Sequence, residues 1–368
     1  MKNRSRLAAL SGVVVAGALA LSACGSDDNT TASAGSAPSG NIDCATGSIN
    51  AAGSSAQKNA IEEWVKLYAA ECAGANINYN PSGSGAGIQA FTSSQVAFAG
   101  SDSALDEEEA AAAKQERCQG NPALNLPMVV GPVAVVYNVP GVDGLKLSPE
   151  TIAQIFSGKA TTWNDPKIAA ENEGAELPSS EIKPVYRSDE SGTTDNFTDY
   201  LNSTVPDVWT WEPAKKWPNS TGQGAAKSDG VTSQVKNTEG AISYVEMSYA
   251  TSNDLQTAHV KNGAGEYTEL SPDSASKAVA GAKVVGTGND VALEIDYTTK
   301  EAGAYPIVLV TYEIACEKGL PAEQAEFVKS FLTYTSSADG QKILTEHGYA
   351  PIPQSVLTKV QASVKALS

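Results

Sequence analysis

Histidine is almost missing from this chain: His259 and His347 are the two in 368 residues. Neither belongs to a helical HxxxH pair or lies near a cysteine pair. The chain therefore offers no histidine-rich metal site, and imidazole-based catalysis has few candidates. Positive charge is scarce too. Lys and Arg number 25 against 42 Asp and Glu, for a formal net charge of −17. Lys2, Arg4 and Arg6 all stand in the first six residues, so the remaining body is more acidic still. Such a chain lacks the basic face that displaces counterions from nucleic acid. Long apolar runs are also wanting. Residues 7–21 are the one extended stretch, shorter than the roughly 20 residues of a spanning helix. Apolar residues still make up 41% of the chain, enough for real cores, and the length suits about two domains.

The apolar stretch follows a basic start and ends in Ser22 and Ala23, just before Cys24. Charged, apolar and then small is the order of an export signal. Leu21-Ser22-Ala23-Cys24 resembles a bacterial lipobox. It implies a signal peptide over residues 1–23 and a lipid on Cys24 that anchors the chain to the outer face of the cytoplasmic membrane. Residues 24–41 are rich in Gly, Ser, Ala, Thr and Asp and read as a flexible tether. Cys44, Cys72, Cys118 and Cys316 remain. An even number in an oxidising compartment predicts two disulfides, with all three pairings open, and the spacings match no zinc pattern.

The rest alternates between strand and helix patterns. Strands are expected at 47–52, 77–80, 96–99, 127–137, 182–186, 241–245 and 307–311. Helices are expected at 56–72, where Ile61, Trp64, Val65, Tyr68 and Cys72 share a face, and at 85–91, 106–117 and 149–156. Others carry Phe197, Tyr200 and Leu201 on one face, or cover 327–332 and 340–347. Alternation of this kind points to an α/β fold.

Three helix starts share one chemistry. Gly53-Ser54-Ser55-Ala56, Ser82-Gly83-Ser84-Gly85-Ala86-Gly87 and Ser191-Gly192-Thr193-Thr194 each follow a strand. Each combines unpaired backbone N–H groups, hydroxyls and a glycine that lets another group approach the backbone. A single such turn is ordinary helix capping; three together suggest a convergent anion cradle. Arg187 precedes the third turn and can grip an oxyanion through two N–H groups, with Asp189 placed to pair with it. Asp102, after a buried strand, fits a different role. A carboxylate beside an anion repels a fully ionised ligand but accepts a hydrogen bond from one that keeps a proton. Phosphate keeps one near neutral pH and sulfate does not. A dehydrated acceptor left facing sulfate costs several kcal/mol, which is selectivity by rejecting the wrong ligand.

Taken in order, these stretches resemble the periplasmic phosphate-binding proteins of bacterial Pst ABC transporters, the PstS family. Gly100-Ser101-Asp102, Arg187-Ser188-Asp189-Glu190-Ser191-Gly192-Thr193 and Gly240-Ala241-Ile242-Ser243-Tyr244-Val245-Glu246 contribute to the resemblance. So do Phe156-Ser157-Gly158-Lys159 and Trp163-Asn164-Asp165-Pro166-Lys167-Ile168. The likeness runs from about residue 47 to the C-terminus. It implies a two-lobed periplasmic-binding-protein fold of type II with a two-strand hinge. The first lobe would be 42–130 plus 305–368 and the second 131–304, with all four remaining cysteines in the first.

The resemblance further implies a monomeric receptor that binds inorganic phosphate and delivers it to an ABC permease, without catalysis, cofactor or metal. Ser55, Ser84, Ser191 and Thr193 would donate hydroxyls. Ala56, Gly192 and Thr193 would offer N–H groups. Arg187 would supply charge, Asp102 would accept the ligand proton, and Asp189 would support Arg187. The chain departs from the family pattern at Ser55-Ala56, where Thr-Phe is common and Ser54 competes as donor. It departs again at Glu190, where a small residue is common.

Other readings have some footing. Gly83 to Gly87 with Asp102 partly imitates a dinucleotide fingerprint. Ser84 or Ser191 at a turn suggests a serine hydrolase, without a G-x-S-x-G setting. Trp209, Trp211 and Trp217 invite a sugar-stacking role, and another oxyanion or an organophosphate is a further alternative ligand.

Overall fold

The computed structural model describes residues 42–368. The expected signal peptide, tether and lipidated Cys24 lie outside the described residues. A nine-stranded sheet organises the rest. Its strands are β1 (Gly47–Gly53), β2 (Ala75–Asn80), β3 (Phe98–Ser101), β4 (Ala123–Tyr137), β5 (Lys183–Arg187), β6 (Gln223–Ala225), β7 (Ala241–Glu246), β8 (Gln256–Thr257) and β9 (Val308–Cys316). The spatial order is β2-β1-β3-β9-β4-β7-β5-β6, with β8 also paired to β4. β2, β1 and β3 run parallel at one end, and β7, β5 and β6 run parallel at the other. β9 and β4 lie antiparallel between them.

β4 is the structural spine. Its 15 residues are buried almost throughout, as its unbroken apolar sequence dictates for a strand covered on both faces. Residues 123–132 pair with β9, and residues 133–137 pair with β7. The apolar cores divide at the same place. One cluster gathers Trp64, Tyr68, Phe91, Phe98, Phe327 and Phe331 with Leu124 to Val130. The other gathers Phe156, Trp163, Phe197, Tyr200 and Tyr244 with Val133 to Tyr137. Two lobes thus share two long strands, the two-lobed architecture expected. Ala275, Ala278, Val279 and Val291 pack in the first cluster although they lie within residues 131–304.

Among the described residues twelve α-helices cover the sheet. Around the first cluster stand α1 (Lys58–Glu71), α2 (Ser84–Thr92) and α3 (Glu107–Ala112), the last continuing into a π turn at Ala113–Arg117. α4 (Pro149–Phe156), α5 (Pro166–Glu171), α6 (Gly192–Thr204), α7 (Lys227–Lys236) and α8 (Met247–Ser252) surround the second. α9 (Pro272–Val279), α10 (Ala322–Thr335), α11 (Ala338–Glu346) and α12 (Gln354–Ala366) return to the first. Among the described residues no helix is long and apolar enough to cross a membrane.

The four described cysteines form two bridges, Cys44–Cys72 and Cys118–Cys316. Cys72, Cys118 and Cys316 all sit in the first cluster, so each bridge staples that lobe to itself.

Candidate functional site

Six strands end at one cleft. β1, β2 and β3 from the first lobe and β5, β6 and β7 from the second point their carboxyl ends at it, where open α/β sheets place their ligands. The turn after β1 holds Ser54, Ser55 and Ala56. α2 begins with Ser84 after β2, and Asp102 follows β3. β5 ends on Arg187 and leads to α6, β6 leads to Ser228 on α7, and β7 ends on Glu246. All of these side chains are buried.

Asp102 anchors one side. Its Oδ1 accepts from Ser54 Oγ at 2.5 Å and Thr311 Oγ1 at 2.8 Å, and its Oδ2 accepts from Ser84 Oγ at 3.2 Å. Burial, and then the nearby Glu246 carboxylate, push its carboxyl up to about 6; the hydroxyl bonds and Arg187 act the other way. Ser84 Oγ also accepts from the Gly192 N–H at 3.2 Å, joining the lobes. Gly192 is glycine for a visible reason: a Cβ there would lie 2.6 Å from Asp102 Cβ and 2.7 Å from Ser84 Oγ.

Arg187 anchors the other side. Asp189 holds it by two bonds, Nε to Oδ1 at 2.8 Å and Nη2 to Oδ2 at 2.6 Å. Burial opposes the guanidinium charge, but the Asp189 pair and Glu246 outweigh it and raise Arg187 above its ordinary value. Burial likewise opposes the Asp189 charge, and Arg187 outweighs it, lowering that carboxyl. One nitrogen remains for other partners. Arg187 Nη1 lies 3.4 Å from both Thr193 Oγ1 and Ser228 Oγ. Thr193 donates to Glu246 Oε1 at 2.6 Å and Ser228 donates to Glu246 Oε2 at 2.8 Å. With its one proton committed there, Ser228 must accept from Ser55 Oγ, 2.9 Å away.

Not every candidate residue turns its side chain into this cleft. Ser191 Oγ accepts from the Thr194 N–H at 3.2 Å, so its hydroxyl caps α6. The Ala56 N–H donates to Ser54 Oγ at 3.0 Å, inside its own turn. Glu190 is exposed and pairs with Lys216 at 2.9 Å, so its charge is met at the surface. Ser228, Glu246 and Thr311 carried no assigned role in the sequence. Ser228 lacks a glycine-rich turn, Thr311 hides in an apolar strand, and Glu246 ends a recognisable stretch without signalling where its side chain goes.

The dinucleotide, hydrolase and sugar-stacking readings lose their footing in the geometry. The glycine turn at 83–87 serves close contact between lobes: a Cβ on Gly83 would meet Asp189 Oδ2 at 2.6 Å, and the Gly85 N–H donates to the Glu190 carbonyl. Trp209, Trp211 and Trp217 pack on one another and on Tyr186, Phe156 and Tyr244, an aromatic core. His259 lies in a small three-stranded sheet and His347 follows α11, and neither is hydrogen-bonded to Ser84 or Ser191.

A family profile described as a PBP superfamily domain matches residues 32–339. The phosphate-binding protein PstS 3 of Mycobacterium tuberculosis is 44% identical over 371 residues, covering 99% of each chain. The chain belongs to the PstS family. PstS 2 of the same organism is 38% identical, again covering 99% of both. A solved periplasmic phosphate-binding protein, PfluDING, superposes with a TM-score of 0.71 at 23% identity, covering 86% of this chain and 93% of its own. That likeness speaks for the two-lobed fold of this PstS member.

Proposed function

We propose that this PstS-family chain is an extracytoplasmic receptor that binds inorganic phosphate between its lobes and passes it to an ABC permease. The observation that carries this reading is the meeting of Arg187 Nη1, the hydroxyls of Ser54, Ser55, Ser84, Thr193, Ser228 and Thr311, the start of α6 and Asp102 in one buried cleft. The names of its relatives agree. Phosphate entering there displaces hydroxyl protons now directed at Asp102 and Glu246. Arg187 and the Gly192 and Thr193 N–H groups take its charge, Ser55, Ser84 and Thr193 take its oxygens, and ionised Asp102 accepts its remaining proton. The Ser191 and Ala56 contributions are backbone or capping ones. No bond is made or broken, so the protein is a carrier and needs no cofactor.

In this reading Cys24 carries a lipid that anchors the receptor to the outer face of the cytoplasmic membrane. The proposed lobes are 42–130 with 305–368, and 131–304, except that Ala275, Ala278, Val279 and Val291 pack with the first. Titration calorimetry with phosphate and sulfate side by side at pH 8 tests the reading. Phosphate is expected to bind and sulfate to give no saturable heat. Absence of phosphate binding, or equal binding of both, overturns it.

A further inference from the structure

Glu313 is fully buried on β9, opposite Gly100 of β3. Neither of its carboxyl oxygens has a hydrogen-bond partner among the described residues. The amide of Gln57, also fully buried, lies beside it, and Gln57 Oε1 lacks a partner as well. Three buried acceptor oxygens without a hydrogen-bond partner are costly. One proton on Glu313 removes a buried charge and supplies a donor, because a neutral acid donates where a carboxylate only accepts.

The surroundings are shaped for the cluster. A Cβ on Gly100 would come within 2.1 Å of Gln57 Nε2 and 2.5 Å of Tyr79 Oη, so glycine leaves the room in which these side chains meet. From Gln57 the hydrogen bonds run in one direction. Gln57 Nε2 donates to Tyr79 Oη at 3.0 Å, and Tyr79 Oη donates to the Ser54 carbonyl at 2.8 Å. Ser54 then sets its hydroxyl on Asp102 and receives the Ala56 N–H.

We propose that Glu313 is a positioning residue for the cleft: as a neutral acid it donates to the Gln57 amide oxygen and so fixes the chain of bonds that holds the Ser54–Ala56 turn. Its consequence for binding rests on the phosphate reading above. Two titratable groups face it, Asp102 from the end of β3 and Tyr79 from β2. Burial first, and Asp102 after it, drive its carboxyl well above the usual range, against the opposing pull of Gln57. Burial raises Tyr79 as well, so it keeps the proton that it gives to Ser54. A neutral Glu313 places no second full charge behind Asp102, which stays the charged acceptor of the pair.

Infrared difference spectroscopy on ligand-free protein at pH 8 reads the proton directly, since Asp102, at about 6, is ionised there. Wild type minus Glu313→Gln is expected to show the C=O stretch of a buried carboxylic acid. Its absence overturns the proposal, whatever the protein binds. Calorimetry then reads the positioning. Glu313→Gln, which keeps a donor, is expected to hold phosphate within about twofold of wild type, whereas Glu313→Leu loses roughly tenfold, the worth of about one buried hydrogen bond. Equal affinity in all three overturns the positioning role. If Glu313→Gln fails to fold, the acid band of wild type at pH 8, present or absent, decides the matter. Should wild type bind no phosphate while the band is present, the phosphate reading fails and the neutral acid stands.

Discussion

Asp102 has to be charged to do what the cleft asks of it, and its surroundings resist the charge. Burial and Glu246 raise its carboxyl to about 6, above the ordinary carboxylate value. The folded protein therefore favours the protonated form; the ionised form weakens the fold above about pH 6, and that penalty fades as pH falls. Ligand choice follows the same proton. On the proposed reading, at pH 8 the carboxylate accepts from phosphate and repels sulfate. Below pH 6 it becomes a donor, and sulfate can be accommodated. Sulfate affinity is expected to rise at least tenfold between pH 8 and pH 5, because the protonated fraction of a group near 6 climbs from about a hundredth to about nine-tenths across that range. Asp102→Asn, a donor at every pH, is expected to bind sulfate without that slope. Calorimetry across this range checks both, and a flat wild-type profile removes Asp102 from the selection. At this scale the sequence was partly legible. The strand-end positions of Asp102 and Arg187 could be read, and so could the pairing of Asp189 two residues on. Glu246 and Ser228 could not, because only the chain's return through β6 and β7 brings them to Thr193 and Ser55.

The elements around the cleft are held by close backbone approach more than by capping. α2 leans on β1 so tightly that a Cβ on Gly87 would lie 2.3 Å from Gly53 Cα and 2.8 Å from the Ala52 carbonyl oxygen. Backbone cannot yield there as a flexible side chain would. Gly87→Ala is expected to destabilise the fold by about 1–3 kcal/mol and, because Ser84 starts the same helix, to weaken phosphate binding. Gly230 within α7 is the opposite case. Its nearest neighbour to an added Cβ is 3.8 Å away, so Gly230→Ala should gain about 0.5–1 kcal/mol from helix propensity. Urea denaturation of the pair measures both signs, and a stabilised Gly87→Ala would deny the close contact. The same elements show what periodicity reveals. α1 announces itself through Ile61, Trp64 and Tyr68, all buried where the pattern puts them. α12 holds a comparable signal in Val356, Leu357, Val360 and Val364. α7 held little, since Ser228 and Thr232 fill half of its buried face and Gly230 interrupts it.

Taken whole, the molecule separates rigidity from movement. The lobes meet through Ser55 and Ser228, through Ser84 and Gly192, and through the Lys58–Asp229 and Lys215–Glu109 ion pairs at the rim. These contacts can break when the two shared strands flex, whereas both disulfides lie away from the seam. Cys118 and Cys316 are 198 residues apart in sequence and enclose the entire second lobe within their loop. In the chain-entropy account a loop of that length restricts the unfolded ensemble strongly, by about 5 kcal/mol. Replacing both cysteines by serine is thus expected to lower stability by several kcal/mol in denaturant. Phosphate affinity of the folded protein should stay within about twofold, because the bond spans the far end of β4 and β9 from the cleft, and a change in the unfolded chain leaves folded-state contacts in place. The Lys58→Ala variant should reverse the pattern, with little change in stability, as for an exposed pair, but faster phosphate release from a rim that closes less firmly. Stopped-flow release beside denaturation curves separates the two. A disulfide variant that releases phosphate faster would place the bridge in the hinge and undo this division.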